Sequence, residues 1–188
     1  MMKARHRPDS QSLSYCLNAL ALWGICGILA MALAWQLMFN ELPCPLCLLQ
    51  RMAFVLVGIG LALNLRFGSS PMHYAVILLS AIAGAFASGR QLLLHIAPGD
   101  PGYGSPFLGL HFYTWAFALF VSFMVWTALM LIVDRRHADN WRIYPMGWLG
   151  RICLGLFFAM VTGNLVSTLF ECGIGPCKAD PTSYLWLP

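Results

Sequence analysis

Five near-continuous apolar runs, at about residues 16–39, 46–65, 74–97, 107–133 and 148–170, divide this chain of 188 residues. Each is at or above the roughly 20 residues that a helix needs to cross the hydrocarbon core of a bilayer. In lipid every backbone N–H and C=O must be bonded within the structure, and the strands of a membrane β-barrel are about half as long, so these runs read as helices. The sequence therefore predicts an all-α fold: a polytopic membrane helix bundle of five transmembrane helices in a single membrane domain, 1–188, with a short tail, 171–188. Composition agrees, since 60% of the residues are hydrophobic and only 10% charged, far from the balance of a soluble domain. The first run follows a basic arm and contains Ala32-Leu33-Ala34, as a cleaved signal would. It is longer than the roughly 7–15 apolar residues of such a signal, so an uncleaved first helix is expected.

The formal charge of +4 does not point to nucleic acid, because the cations lie between the spans rather than on one soluble face. Lys3, Arg5, Arg7, Arg66, Arg135, Arg136, Arg142 and Arg151 fall in or beside the N-terminal arm, the second–third connection and the fourth–fifth connection. Basic residues concentrate on the cytoplasmic side of membrane proteins, so the N-terminus is expected inside. Five crossings then place the C-terminal tail outside, together with the first–second connection.

Seven cysteines fall into two groups. Cys16, Cys26 and Cys153 lie in or beside apolar runs, where a thiol packs as a small hydrophobe. Cys44, Cys47, Cys172 and Cys177 lie at the expected outer ends. Cys44-Pro45-Leu46-Cys47 has the spacing of dithiols that exchange disulfides, and it falls where the second helix begins. Pro45 suits a first helical turn, where its missing N–H would have been unpaired anyway. Unpaired amides and the helix dipole favour a thiolate in that turn. Arg51 follows Cys47 by four residues and so shares its helix face, about 5–6 Å away at Cβ. A guanidinium there needs an acceptor such as a thiolate or a quinone oxygen, unless it reaches out to lipid head groups.

Cys172 and Cys177 are separated by turn-forming residues, which allow the Cα approach of roughly 5.5 Å typical of a disulfide. They read equally as a second redox pair or as a static staple. A tetrahedral zinc site built from all four outer cysteines is a weaker reading, because the second pair lacks the usual two-residue metal spacing. The third–fourth connection, Pro98 to Pro106, holds three prolines and three glycines in nine positions and no cysteine, so an irregular loop is expected. Around it His95, His111, Tyr103 and Tyr113 are candidates for proton relay or simply mark the interface. Arg90 and Gln91 fall inside the third run and are expected to face the bundle interior.

Cys44-Pro45-Leu46-Cys47 followed by Leu48-Leu49-Gln50-Arg51, with Phe107-Leu108-Gly109-Leu110 expected to open the fourth helix, resembles the bacterial disulfide bond formation protein DsbB family. That resemblance implies a quinone-linked oxidoreductase of the bacterial inner membrane. Such a protein reoxidises a periplasmic, DsbA-like thioredoxin-fold dithiol oxidase and passes the electrons to ubiquinone or menaquinone. It implies Cys47 as the sulfur beside the quinone, Cys44 as the one that exchanges with the second pair, and Arg51 as a quinone-positioning residue. Arg90, Gln91 and His95 are further candidates at the cofactor. The chain departs from the best-known members, which have four spans and carry the second pair in the third–fourth loop; here a fifth span delivers Cys172 and Cys177. Rival readings are a structural or metal-binding membrane subunit, and a quinone-linked thiol enzyme similar to vitamin K epoxide reductase.

Overall fold

The computed structural model describes residues 9–134, 147–177 and 183–186. Five helices follow in order, α1 (Asp9–Phe39), α2 (Pro45–Phe67), α3 (Pro71–Leu94), α4 (Phe112–Asp134) and α5 (Trp148–Cys172). Each contains a stretch long and apolar enough to cross a membrane. The chain is thus an all-helical, multi-pass membrane protein, and the described residues contain no β-strand. Lys3, Arg5, Arg7, Arg135, Arg136 and Arg142, on which the inside–outside expectation mostly rests, lie outside the described residues.

Local chemistry sets the helix ends. Ser70 caps α3, its Oγ accepting the Met72 N–H at 3.3 Å, with Pro71 in the first turn. Gly68, at φ +92°, closes α2 and donates its N–H to Asn64 O. Several boundaries differ from the sequence reading, three of them for reasons the structure shows. Helix α1 starts at Asp9 rather than at 16, because its polar first turns need no membrane and extend beyond the apolar stretch that begins at Leu13. Helix α3 ends at Leu94 rather than at 97: the His95 N–H turns back to Leu92 O, and Pro98 disfavours helical geometry at Ala97.

Helix α4 starts at Phe112, so Phe107-Leu108-Gly109-Leu110 does not open it. Those residues form a tight turn in which Phe107 and Leu110 exchange two backbone hydrogen bonds, 2.8 and 3.1 Å long. Leu108 and Gly109 sit at φ +51° and +81°, a left-handed conformation that a right-handed helix cannot contain.

Helix α2 lies at the centre, packed on α1, α3 and α5, while α4 packs mainly on α3. Phe54 of α2 stacks on Phe120 of α4 at 4.0 Å between ring centroids. Gly84 of α3 lets Phe120 lie against its backbone, and Gly58 of α2 does the same for Phe157 of α5. A Cβ at Gly84 would overlap the fully buried Phe120 ring. Gly84→Val is therefore expected to destabilise the bundle by about 1–3 kcal/mol, read as a lower midpoint in SDS-titrated unfolding.

The end of the bundle remote from the thiols is tied by polar contacts. Asn18 donates to Tyr74 Oη (3.0 Å) and accepts from Asn64 (2.9 Å), while Tyr74 and Ser14 both donate to Asp134. These bonds join α1, α2, α3 and α4 with side chains that would otherwise be orphaned in an apolar interior.

Candidate functional site

At the opposite end, Cys44 occupies the N-cap of α2 and Cys47 its first turn, with Pro45 between them as the first helical residue. The Cys44 sulfur accepts the Cys47 N–H at 3.1 Å. It thus does for this helix what a serine or aspartate oxygen does for others. Its hydrogen bond to the Cys47 side chain and its burial both push the Cys44 thiol up from its ordinary value, so Cys44 keeps its proton through neutral pH.

Gln91 of α3 spans the pair. Its Nε2 lies 3.3 Å from the Cys44 sulfur and 3.5 Å from that of Cys47, and its Oε1 accepts from Gln50 Nε2 at 2.8 Å. Gln50 and Gln91 are both buried, so each amide fixes the orientation of the other. Arg90, one position away and so about 100° around the helix, is exposed. The expectation that Arg90 faces the interior is corrected: only Gln91 does. His95 caps α3, pairs with Asp100 at 3.1 Å and stacks on Tyr113; it does not line the cavity described next. Gln91→Leu removes the donor shared by the two sulfurs and orphans Gln50. A hydrogen bond is worth roughly 1 kcal/mol, so iodoacetamide alkylation of Cys47 at neutral pH is expected to slow about five-fold.

A cavity of about 250 Å³ lies between α1, α2 and α4. Trp35, Phe54, Phe112 and Trp115 give it aromatic walls, and Cys47, Gln50, Arg51 and Gln36 line it as well; Cys44 does not. Arg51 donates to Gln36 Oε1 at 2.7 Å and to the Ala32 carbonyl at 3.0 Å, so it is held against α1 rather than extended to the membrane surface. The loop after α3 meets the rim. Tyr103 donates to Leu42 O at 2.7 Å, and Glu41 accepts from the Ser105 hydroxyl (2.5 Å) and N–H (3.1 Å).

Cys172 and Cys177 form a disulfide at the end of α5. Cys172 is buried and Cys177 partly exposed. Odd-numbered helices run the same way, so α5 ends beside the end of α1, and the tail returns toward the first thiol pair. Gln36 Nε2 donates to Tyr184 Oη at 3.1 Å, and the Trp186 N–H to Phe170 O at 3.2 Å. Both cysteine pairs thus occupy one end of the bundle. The sequence reading gave no role to Gln36, Tyr184 or Glu171, and named Gln50 only as part of the motif. A buried glutamine inside an apolar run was the available signal for Gln36 and Gln50, and a carboxylate beside Cys172 for Glu171.

Fold and site together define a multi-pass membrane protein in which the second cysteine of a Cys-x-x-Cys pair opens onto an apolar cavity. Residues 14–103 match the family described as Disulfide bond formation protein DsbB, so over that stretch, which holds most of α1, all of α2 and α3 and the first thiol pair, the chain is similar to the DsbB family. Among curated relatives, Disulfide bond formation protein B of Nitrosomonas eutropha is 40% identical over 72 residues, covering 36% of this chain and 44% of the relative. The protein of that name from Pseudomonas syringae pv. tomato is 40% identical over 73 residues, 37% and 43% of the two chains. That from Burkholderia pseudomallei (strain 1106a) is 39% identical over 75 residues, 38% and 44%. The aligned stretch thus spans less than half the length of these relatives. No solved structure matches. Helices α4 and α5 and the tail disulfide lie beyond the family match.

Proposed function

We propose that this protein is a thiol:quinone oxidoreductase of the bacterial inner membrane. In this reading it reoxidises a periplasmic, DsbA-like dithiol protein and delivers the electrons to ubiquinone or menaquinone. The observation that carries the reading is that Cys47 and Arg51 line one apolar cavity while a second cysteine pair sits at the same end of the bundle. The cavity suits the group. Aromatic walls favour a flat apolar ring, and Arg51, whose bonds to Gln36 and Ala32 use two of the guanidinium's five N–H groups, keeps donors for a carbonyl oxygen. Arg51 and Gln50 would hold the quinone head, with Trp35, Phe54 and Phe112 flanking it. When bound, the quinone supplies a two-electron, two-proton acceptor.

The cysteines do the rest. A thiolate of the reduced partner attacks the Cys172–Cys177 disulfide at the more accessible Cys177; the resulting mixed disulfide resolves, leaving the partner oxidised and Cys172 and Cys177 as thiols. Cys172 then attacks the Cys44–Cys47 disulfide at Cys44, and closure of Cys172–Cys177 returns Cys44 and Cys47 to thiols. Closing the Cys44–Cys47 bond finally releases two electrons and two protons at the cavity. Arg51 favours negative charge there as it develops, on the Cys47 sulfur first.

Purified protein given a quinone and a reduced thioredoxin-fold dithiol should form quinol and partner disulfide in equal amounts. Partner oxidation that proceeds at the same rate without quinone would overturn the reading. Labelling whole cells with a membrane-impermeant thiol reagent after mild reduction should modify Cys177, and its protection would place the tail on the wrong side.

A further inference from the structure

Gln36 stands one turn from the end of α1 and is only 1% exposed. A buried amide is costly unless its oxygen and its nitrogen are both answered. Different segments answer the two: Oε1 accepts from Arg51 Nη1 at 2.7 Å, and Nε2 donates to Tyr184 Oη at 3.1 Å. That orientation is forced. A guanidinium carries donors and no acceptor, so only the oxygen of Gln36 can face Arg51, and the nitrogen must find its acceptor elsewhere. Tyr184 supplies one from the tail, 148 positions away. The tail is itself fastened here. The Trp186 N–H donates to Phe170 O at 3.2 Å, and the Leu185 and Trp186 side chains close over Gly173, where a Cβ would come within 2.9 Å of Leu185 Cδ2. Gln36 and Arg51 line the cavity and Tyr184 does not, so the tyrosine reaches the guanidinium only through the amide.

We infer that Tyr184 is a positioning residue of the cavity, fixing the Arg51 guanidinium through Gln36. Without the phenolic oxygen, Gln36 Nε2 loses the acceptor that the tail provides, and the amide lowers its cost by turning toward another. Turning withdraws Oε1 from Arg51. The guanidinium is then held at one point, the Ala32 carbonyl at 3.0 Å, instead of two. The inference rests on the proposed role of Arg51 toward a quinone and adds to it a side chain from beyond the family match. The tail that follows the second cysteine pair thus also completes the site of the first.

The test is a double-mutant cycle in the purified full-length protein. Tyr184→Phe keeps the ring and removes only the hydroxyl. It should raise KM for a short-chain ubiquinone or menaquinone, whichever the native protein reduces, about five-fold, the change that one lost hydrogen bond gives. KM for a reduced thioredoxin-fold dithiol should stay within about two-fold. Gln36→Glu makes both terminal atoms acceptors, so Arg51 is held whichever way the group turns. On that background Tyr184→Phe should change neither KM by more than about two-fold. An unchanged quinone KM in Tyr184→Phe overturns the inference, and so does an equal loss in both backgrounds, which would make Tyr184 a packing residue only. The hold on Arg51 is also read without quinone. In protein carrying isotope-labelled arginine, solvent exchange of the Arg51 guanidinium protons, assigned by their loss in Arg51→Lys, should quicken about five-fold in Tyr184→Phe and less than about two-fold when Gln36→Glu is present. Unchanged exchange overturns the inference whatever reaction the protein catalyses. A native protein that reduces no quinone overturns the proposed function instead, and the exchange rates still decide the place of Tyr184.

Discussion

Replacing Arg51 by glutamine should lower kcat/KM for quinone on the order of 10²-fold, the size of effect seen when one preorganised donor is removed from developing negative charge. KM for the protein dithiol should stay within about two-fold. The asymmetry follows from position. Arg51 lines the cavity beside Cys47, whereas the partly exposed sulfur that would meet a soluble partner is Cys177, at the end of a different helix. Glutamine also loses a charge that Gln36 and Ala32 help to hold against α1, so unfolding in SDS should be measured alongside. Parallel loss of quinone and partner kinetics in a stably folded variant would remove Arg51 from any cofactor role. Steady-state assays varying each substrate in turn give the answer.

Cys47→Ser should have the larger effect, abolishing quinone-coupled oxidation to background, on the order of 10³-fold or more. The remaining Cys44 would be a lone thiol, buried and held by Gln91, with no partner with which to close a disulfide. The tail disulfide does not depend on Cys47, so a reduced dithiol protein should still open Cys172–Cys177 and stop after one turnover. A non-reducing gel would then show reduced tail cysteines and no further partner oxidation. If Cys47→Ser continued to turn over with quinone, electrons would be reaching the cavity by another route and the proposed order would fail.

The spans were legible because hydropathy over 20 residues is a property of the run alone. The capping place of Cys44 was legible for a similar reason: Pro45 fixes where α2 can begin. What resisted reading depends on rotation about helix axes and on contacts between distant segments. Arg90 and Gln91 are neighbours in an apolar run, yet one faces outward and the other touches both sulfurs. Both are polar side chains one position apart, and only the packing of α3 against α2 decides which of them turns inward. Gln36 could be seen as an unusual polar residue, but not as the acceptor of Arg51 and the donor to Tyr184, a pairing made across 15 and 148 positions. Phe107 to Leu110 looked helical by hydropathy, and the positive φ of Leu108 and Gly109 overruled it.

The route of the tail back to the first thiol pair has a consequence for how such a chain can be altered. Cys177 shares the bundle end of Cys44 only because an even number of helices, α2 to α5, lies between them. Parity, not sequence distance, sets that address. A single hydrophobic segment inserted into or deleted from the stretch between Leu48 and Glu171 would exile one sulfur pair to the opposite compartment with every cysteine intact, whereas two segments added together would restore it.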